Sequence, residues 1–233
     1  MELLDFHTHI LPGMDDGAQD VPESLELLRI SREQGVTDVC ATSHFYAGED
    51  DPEDFLRRRQ RAYESLIEQS GDLPRIHLGA EVLYFPGMSQ AKELKMLTLG
   101  RGPLLLVEPP MLPWTDYMLD EIEETGTNLR CVPVIAHVDR YLRVLEDPTV
   151  FDRLRGRKLL AQVNASFFLY PRTALMAMEL LNARRIHFIG SDCHNAYDRL
   201  PNMGAAAERI IGAGLEKELK ILVLSEKKAL EVS

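Results

Sequence analysis

The sequence predicts one α/β domain, residues 1–233, built on a parallel sheet that closes into a distorted barrel. Short apolar segments alternate with helical segments about seven times, which is typical of a parallel sheet covered by helices. Nearly every apolar segment also ends in a polar, potentially reactive residue. A barrel gathers its strand C-termini around one mouth, whereas an open doubly wound sheet spreads them along a line. These endings therefore favour the barrel.

The first strand is predicted over residues 3–6, and His7 and His9 follow at its end. Because side chains alternate along an extended segment, both imidazoles project to the same side and can share a metal ion. The Pro12-Gly13 turn and the Asp15-Asp16-Gly17 segment can return a carboxylate to that site.

The other predicted elements are six more strands and six helices along the chain. Strands are predicted over residues 36–41, 75–79, 104–107, 132–136, 159–163 and 186–190. Helices are predicted over residues 21–34, 52–69 and 171–182, with two more from about 201 and 216. Another helix, which Thr115 or Asp116 can cap, is predicted to last to about Glu124. Asp20 caps the first helix, because Pro22 lies in the first turn and Glu23 has the capping-box position. Gly35 ends that helix.

The composition indicates which binding partners are disfavoured and in which cellular compartment the protein is expected. Asp and Glu number 37 against 26 Lys and Arg, and this net charge of -11 argues against nucleic acid or an anionic membrane as partner. Three scattered cysteines imply no disulfide framework. The chain opens without a signal-peptide pattern and has no apolar run of about 18 residues, so we expect a cytoplasmic protein without membrane insertion.

The strand ends supply nine candidate metal ligands. They are His7, His9, Asp16, His44, Glu81, Glu108, His137, Asp192 and His194. A site with both imidazole and carboxylate donors suits Mn, Fe or Zn, whereas a site made only of oxygen ligands suits Mg or Ca. Nine ligands exceed the needs of one ion, so two or three ions are expected, with Glu81 a natural bridge. The four carboxylates leave positive charge for hydroxide and an anionic substrate to balance.

The ordered set of motifs resembles the polymerase-and-histidinol-phosphatase (PHP) superfamily. Within it, the chain resembles the bacterial manganese-dependent protein-tyrosine phosphatases of capsule and exopolysaccharide biosynthesis. The matching segments lie at residues 5–9, 15–17, 41–44, 79–81, 107–108, 135–141, 162–164 and 191–195. The resemblance implies a TIM-like (β/α)7 barrel of the PHP type with a three-metal centre. Phe45 departs from the superfamily, which often has a second histidine there. Residue roles of histidinol phosphatases therefore apply less directly to this chain.

The resemblance also implies roles for individual residues. It groups the ligands as His7, His9, Glu81 and Asp192; as Glu81, Glu108 and His137; and as Asp16, His44 and His194. It implies that Arg140 and Arg199 hold the substrate phosphate. The implied cofactor is Mn, with Fe, Zn and Mg as alternatives. The implied reaction is hydrolysis of phosphotyrosine by metal-activated hydroxide. The implied partner is the tyrosine-rich tail of an autophosphorylating bacterial kinase of polysaccharide export.

Several alternatives stay open at this point. One is a PHP phosphatase of a small phosphomonoester such as histidinol phosphate, and another is a non-catalytic regulator that binds a phosphoprotein. Cys193 and Arg199 have the Cys-x5-Arg spacing of thiol phosphatases, but the intervening residues contain no glycine to wrap backbone N–H groups around a phosphate. An amidohydrolase is disfavoured because no strand-end lysine completes the bridging pattern. Trp114 is either a platform for the substrate ring or a packing residue.

Overall fold

The computed structural model describes residues 1–144 and 147–231, so the predicted domain end at residue 233 lies outside the described residues. The strands are β1 (Leu3–Thr8), β2 (Val36–Ala41), β3 (His44–Phe45), β4 (Arg75–Leu78), β5 (Glu81–Leu83), β6 (Leu104–Glu108), β7 (Val132–Ile135), β8 (Leu160–Asn164) and β9 (Phe188–Gly190). The α-helices are α1 (Val21–Glu33), α2 (Pro52–Ser70), α3 (Asp116–Leu129), α4 (Val138–Val144), α5 (Val150–Arg153), α6 (Ala174–Asn182), α7 (Met203–Gly212) and α8 (Glu216–Glu231). Short 3-10 segments lie at Met88–Gln90, Lys92–Leu97 and Ala165–Phe168.

The strands form a curled parallel sheet whose two ends meet. Their order is β1-β2-β4 in one part and β3-β5-β6-β7-β8-β9 in the other. The parts are continuous, because the Glu81 N–H donates to the Thr42 carbonyl at 3.1 Å where β2 leads into β3 and β4 into β5. The sheet closes where the Asp192 N–H donates to the His7 carbonyl at 2.8 Å. This arrangement confirms the predicted distorted (β/α)7 barrel.

One end of the barrel is filled with apolar side chains. Leu4 and Phe6 of β1 pack there with residues of β6, β7 and β9, and the Phe6 and Phe188 rings stack at 3.9 Å between centroids. Helix α8 seals this end, because the Leu230 carbonyl accepts the Arg101 N–H at 3.1 Å. The other end of the barrel, at the strand C-termini, is left for polar groups. In the described parts of the chain, no helix combines the length and apolarity needed to cross a bilayer.

The predicted start of the first helix is correct. The Asp20 side chain accepts the Glu23 N–H at 2.9 Å, while the Glu23 carboxylate accepts the Gln19 N–H at 2.9 Å. These reciprocal bonds satisfy two N–H groups that would otherwise lack partners. Gly35 then leaves the helix with a φ of +83°, a conformation that favours glycine.

Other boundaries differ from the predicted ones. Helix α3 continues five residues past 124, until Arg130 adopts a left-handed φ of 51° and its N–H bonds the Gly126 carbonyl. Helix α6 begins at Ala174 rather than 171, and the sequence reading did not predict α4 or α5. Helix α4 matters most, because it begins directly after His137 and carries Arg140.

Candidate metal centre

All nine candidate ligands lie at the polar mouth of the barrel. Strand β1 and the residues just after it supply His7 and His9, and the following loop supplies Asp16. His44 and Glu81 begin β3 and β5, just after the ends of β2 and β4, and Glu108 ends β6. The segments that follow β7 and β9 supply His137, Asp192 and His194. Parallel strands deliver their C-terminal ends to one mouth, so residues far apart in sequence meet there.

Glu81 is the centre of the cluster. It begins β5, is 1% exposed, and one of its oxygens (Oε2) lies 3.2 Å from His7 Nε2 and 3.4 Å from His9 Nε2. His44 Nδ1 lies 3.1 Å from the same oxygen. His137 Nε2 lies 2.9 Å from the other oxygen, Oε1. One carboxylate therefore faces four imidazoles, and both of its oxygens take part.

The donor atoms fall into three overlapping groups, each within 4.8 Å. The groups are His7, His9 and Glu81; His44, Glu81 and Glu108; and His9, Asp16, His44 and His194. They resemble the predicted grouping, except that His9 and His44 each join a second group. Asp192 Oδ1 lies 3.6 Å from His9 Nε2, and His137 Nε2 lies 3.2 Å from Glu108 Oε1. These two residues therefore stand beside the groups to which the resemblance assigned them.

Hydrogen bonds behind the cluster orient the imidazoles. The ring nitrogen Nδ1 of His7 bonds Gln162 Oε1 at 3.2 Å, and Nδ1 of His9 bonds Asp15 Oδ2 at 2.8 Å. Nδ1 of His194 bonds a backbone carbonyl at 3.0 Å. When Nδ1 carries the proton, each Nε2 lone pair points into the cluster, as is usual for histidines that bind metals.

The cluster strongly perturbs the protonation of its members. Burial alone would lower the pKa of His9, but the carboxylates of Asp15 and Glu81, which lie 2.8 Å and 3.4 Å from its ring nitrogens, raise it to about 10. The pKa of His137 rises to about 9, because bonds to Glu108 and Glu81 outweigh the same effect of burial. Burial would raise the pKa of Glu81, yet the facing imidazoles hold it well below its usual value. Protons on imidazoles thus balance carboxylates in this cluster of opposite charges.

Buried atoms without hydrogen-bond partners test whether the cluster fits a metal. Within residues 1–144 and 147–231, such atoms include Glu81 Oε2, His44 Nδ1 and His194 Nε2. Buried polar groups are normally satisfied, so three such lone-pair donors around one space indicate absent partners that accept lone pairs. Divalent cations fit this donor set of imidazoles and carboxylates.

The backbone is strained where two of the side chains enter the cluster. His137 has a φ of 32° and Asp192 a φ of 56°, and both lie in the left-handed region that residues other than glycine seldom adopt. Such conformations cost about 1–3 kcal/mol each and occur preferentially at functional sites. Gly190 is required nearby, because a Cβ there would lie 2.5 Å from the Cβ of His7.

Two arginines border the open side of the cluster. Arg140, from α4, contacts Asp192 and lies 3.9 Å from Glu108 Oε1. Arg199 Nη2 bonds Asp192 Oδ1 at 2.8 Å, and its Nη1 lies 3.9 Å from Asp16 Oδ2. Both guanidinium groups therefore reach the space next to the cluster from different segments, as expected for groups that hold an anion there.

Other sequence interpretations have clearer outcomes. Trp114 is 4% exposed and packs on Tyr141 with 4.8 Å between ring centroids, so it is a packing residue. Cys193 is fully buried, and burial raises the pKa of its thiol far above the usual range, which disfavours a thiolate nucleophile. Gln162 received no role from the sequence, since only the structure shows its contacts to His7 and to the His137 N–H.

Comparisons with known proteins agree with this geometry. The family model described as capsular polysaccharide synthesis, CpsB/CapC, matches residues 3–230. The tyrosine-protein phosphatase YwqE of Bacillus subtilis (strain 168) is 28% identical over 208 residues, which cover 84% of this chain and 79% of YwqE.

Solved structures show the same fold. A structure of the metal-dependent tyrosine phosphatases YwqE of Bacillus subtilis and CpsB of Streptococcus pneumoniae matches with a TM-score of 0.83 and 24% identity, covering 98% of this chain and 94% of that one. Histidinol phosphate phosphatase of Lactococcus lactis, with zinc, L-histidinol and phosphate, matches at 0.57 and 14% identity, covering 94% of each chain. By the match of the family model to nearly its whole length, the chain belongs to the CpsB/CapC family of capsular polysaccharide synthesis.

Proposed function

We propose that this protein is a metal-dependent protein-tyrosine phosphatase that hydrolyses phosphotyrosine in a protein substrate. One observation carries the proposal: four carboxylates and five imidazoles converge in one cluster that two arginines border. Tyrosine-protein phosphatase is also the activity named for the relative YwqE. In this proposal residues 1–233 act as one domain, because the ligands come from segments spread between residues 7 and 194.

The nine side chains would hold the cations in the three predicted groups. Divalent cations bound there lower the pKa of a coordinated water and neutralise charge that develops on the phosphoryl group. Manganese suits the mixed nitrogen and oxygen donors, and Fe, Zn and Mg are the alternatives. Gln162 and Asp15 keep the Nδ1 atoms of His7 and His9 occupied, so that each Nε2 faces the pocket.

Arg140 and Arg199 would bind the phosphoryl oxygens. Each guanidinium group offers a planar set of N–H donors that matches phosphate, and both already lie beside the cluster. The phenol of tyrosine has a pKa of about 10, so its phenolate is a better leaving group than an alkoxide. Its departure therefore depends less on a general acid than departure of an alkyl alcohol does.

The proposed physiological substrate is the phosphorylated tail of a tyrosine kinase that controls polysaccharide export. The capsule-synthesis family supports this choice. The net charge of -11 disfavours nucleic acid as a partner, because both molecules are negatively charged. A cytoplasmic location also belongs to the proposal, and three free, buried cysteines are in keeping with a reducing compartment.

The direct test measures bound metal and phosphate release together. Protein stripped by a chelator should not hydrolyse a phosphotyrosine peptide, and Mn²⁺ should restore turnover in step with metal content. Full turnover by metal-free protein would refute the proposal. Faster turnover of histidinol phosphate would favour the small-substrate alternative. A stable phosphopeptide complex without phosphate release, with metals present, would favour the non-catalytic regulator.

The arginines can be tested by substitution. Arg140→Ala or Arg199→Ala removes a charge-assisted hydrogen bond worth roughly 1.5–3 kcal/mol, so kcat/KM should fall about 10- to 100-fold. Arg57→Ala is the matched control, because Arg57 is an exposed arginine of α2 that pairs with Asp54 at 2.8 Å. Unchanged turnover and affinity in both site variants would exclude the phosphate-binding role.

A further inference from the structure

A cavity of about 300 Å³ opens directly beside the two arginines. Arg140, Arg199 and Asp192 line it on the side of the metal centre, and Tyr170 and Leu200 line it as well. This volume is at the small end of the range for ligand-binding pockets. A phosphomonoester whose phosphoryl group lies against the arginines thus has space next to it for its leaving group.

Tyr170 and Leu200 supply the apolar part of a cavity whose other lining residues are polar or charged, and this part suits an aromatic leaving group. Tyr170 is 48% exposed and Leu200 39% exposed, so part of the apolar surface of each side chain is accessible to solvent. Aromatic rings pack favourably on such surfaces, either face to face with an offset or edge to face. Alkyl phosphates, such as phosphoserine, would leave most of this surface uncovered.

Other aromatic residues near the mouth are less suitable. Trp114 is buried against Tyr141. Tyr46 stacks on His44 with 5.3 Å between ring centroids, so a metal-centre histidine occupies one of its faces. Tyr197 is 79% exposed on the loop between His194 and Arg199. Tyr170 differs from these three because it shares one cavity with both arginines.

We propose that this cavity is the aryl subsite of the enzyme. The phenyl ring of phosphotyrosine packs against Tyr170 and Leu200, and these contacts select aryl over alkyl phosphates. The inference rests on the proposed function, because it needs a phosphoryl group held by Arg140 and Arg199. It goes beyond that function by assigning the leaving-group side of the site to residues outside the metal cluster.

The test separates binding of the ring from binding of the phosphate. Manganese-loaded protein is titrated with a peptide carrying a non-hydrolysable phosphonomethyl-phenylalanine, and separately with inorganic phosphate. Tyr170→Ala should weaken peptide binding about fivefold to tenfold and leave phosphate binding unchanged. Tyr170→Phe keeps the ring and should bind like the wild type. Tyr117→Ala is the matched control, because Tyr117 is 70% exposed on α3.

Three results would overturn the inference. They are unchanged peptide affinity in Tyr170→Ala, an equal loss of peptide and phosphate binding, or a loss confined to Tyr197→Ala. Leu200→Ala, on the same cavity, gives a second measurement should Tyr170→Ala misfold. Because the phosphonate is not cleaved, the test does not depend on turnover. A wild type that binds the peptide but releases no phosphate from phosphotyrosine would refute the proposed function and leave the subsite standing.

Discussion

Gln162 offers the sharpest test of how the barrel prepares its metal centre. It lies fully buried in β8, and its side-chain oxygen accepts the His137 N–H at 2.6 Å and contacts His7 Nδ1 at 3.2 Å. The first bond secures a residue whose φ of 32° is strained. The second directs Nε2 of His7 toward Glu81. We predict that Gln162→Leu weakens both the fold and metal binding.

The two losses have separable magnitudes. Leucine approximately preserves volume but leaves the buried His137 N–H without its acceptor, which costs about 1–3 kcal/mol. For a chain of this length, each kcal/mol corresponds to a fall in Tm of about 2–4 °C. Loss of the bond that orients a metal-binding histidine typically reduces metal affinity about 10- to 100-fold. Metal-free protein therefore reports the first effect, and Mn²⁺ titration reports the second.

The assay is thermal unfolding in chelator together with a competition titration of Mn²⁺ against a chelating dye. Gln162→Glu keeps an acceptor for both contacts, so it should retain more metal affinity than Gln162→Leu. Gln60→Leu is the control, because Gln60 is exposed on α2. Its side-chain amide donates to the Glu64 carboxylate at 2.9 Å, and neither residue is one of the nine candidate ligands. If Gln162→Leu matches the wild type in both Tm and Mn²⁺ affinity, the argument from imidazole orientation is wrong.

Three further predictions concern protonation and chemistry. Burial would raise the pKa of Asp38, but hydrogen bonds led by that from His77 hold it below its usual value. Its ionised form therefore stabilises the fold above pH ~4 and loses that effect as pH falls, so urea unfolding should show Asp38→Asn destabilised at pH 7 and less so at pH 3. At pH 7 His9 and His137 of the metal-free cluster carry protons, because their pKa values are about 10 and 9. Metal binding should therefore release protons, and metal affinity should increase as pH rises. Calorimetry in two buffers can measure both. Cys193→Ser should keep most turnover; an inactive variant with normal metal content would instead support a thiol mechanism.

The residues that the sequence nominated from strand order lie close together in the structure. A parallel barrel places strand C-termini together, so a polar residue at each strand end was enough to nominate His44, Glu81 and His137. Alternation along β1 likewise placed His7 and His9 on one side, and their Nε2 atoms lie 3.1 Å apart. Local rules of this kind need no knowledge of distant contacts.

Features that depend on distant contacts escaped prediction. The oxygen of Gln162 meets His7 across 155 positions of sequence, and no local pattern signals that bond. Gly190 looks like an ordinary strand residue until the structure places His7 against it. Helix α4 was missed because His137 and the three residues after it were interpreted as the polar end of a strand, although Val138–Val144 form a helix. Such contacts are set by the closure of the barrel and not by the residues beside them.

The arginines connect metal binding to substrate binding. Arg140 and Arg199 both contact Asp192, a carboxylate that would also face the cations. While Asp192 binds guanidinium groups, those groups are less available to a phosphate. If Asp192 bound a cation, Arg140 and Arg199 would have fewer anionic partners, and their N–H donors would be available to phosphoryl oxygens. Affinity for inorganic phosphate should therefore rise with metal loading for two reasons. The metal adds positive charge, and the guanidinium N–H groups that contact Asp192 in the metal-free protein become available to phosphate.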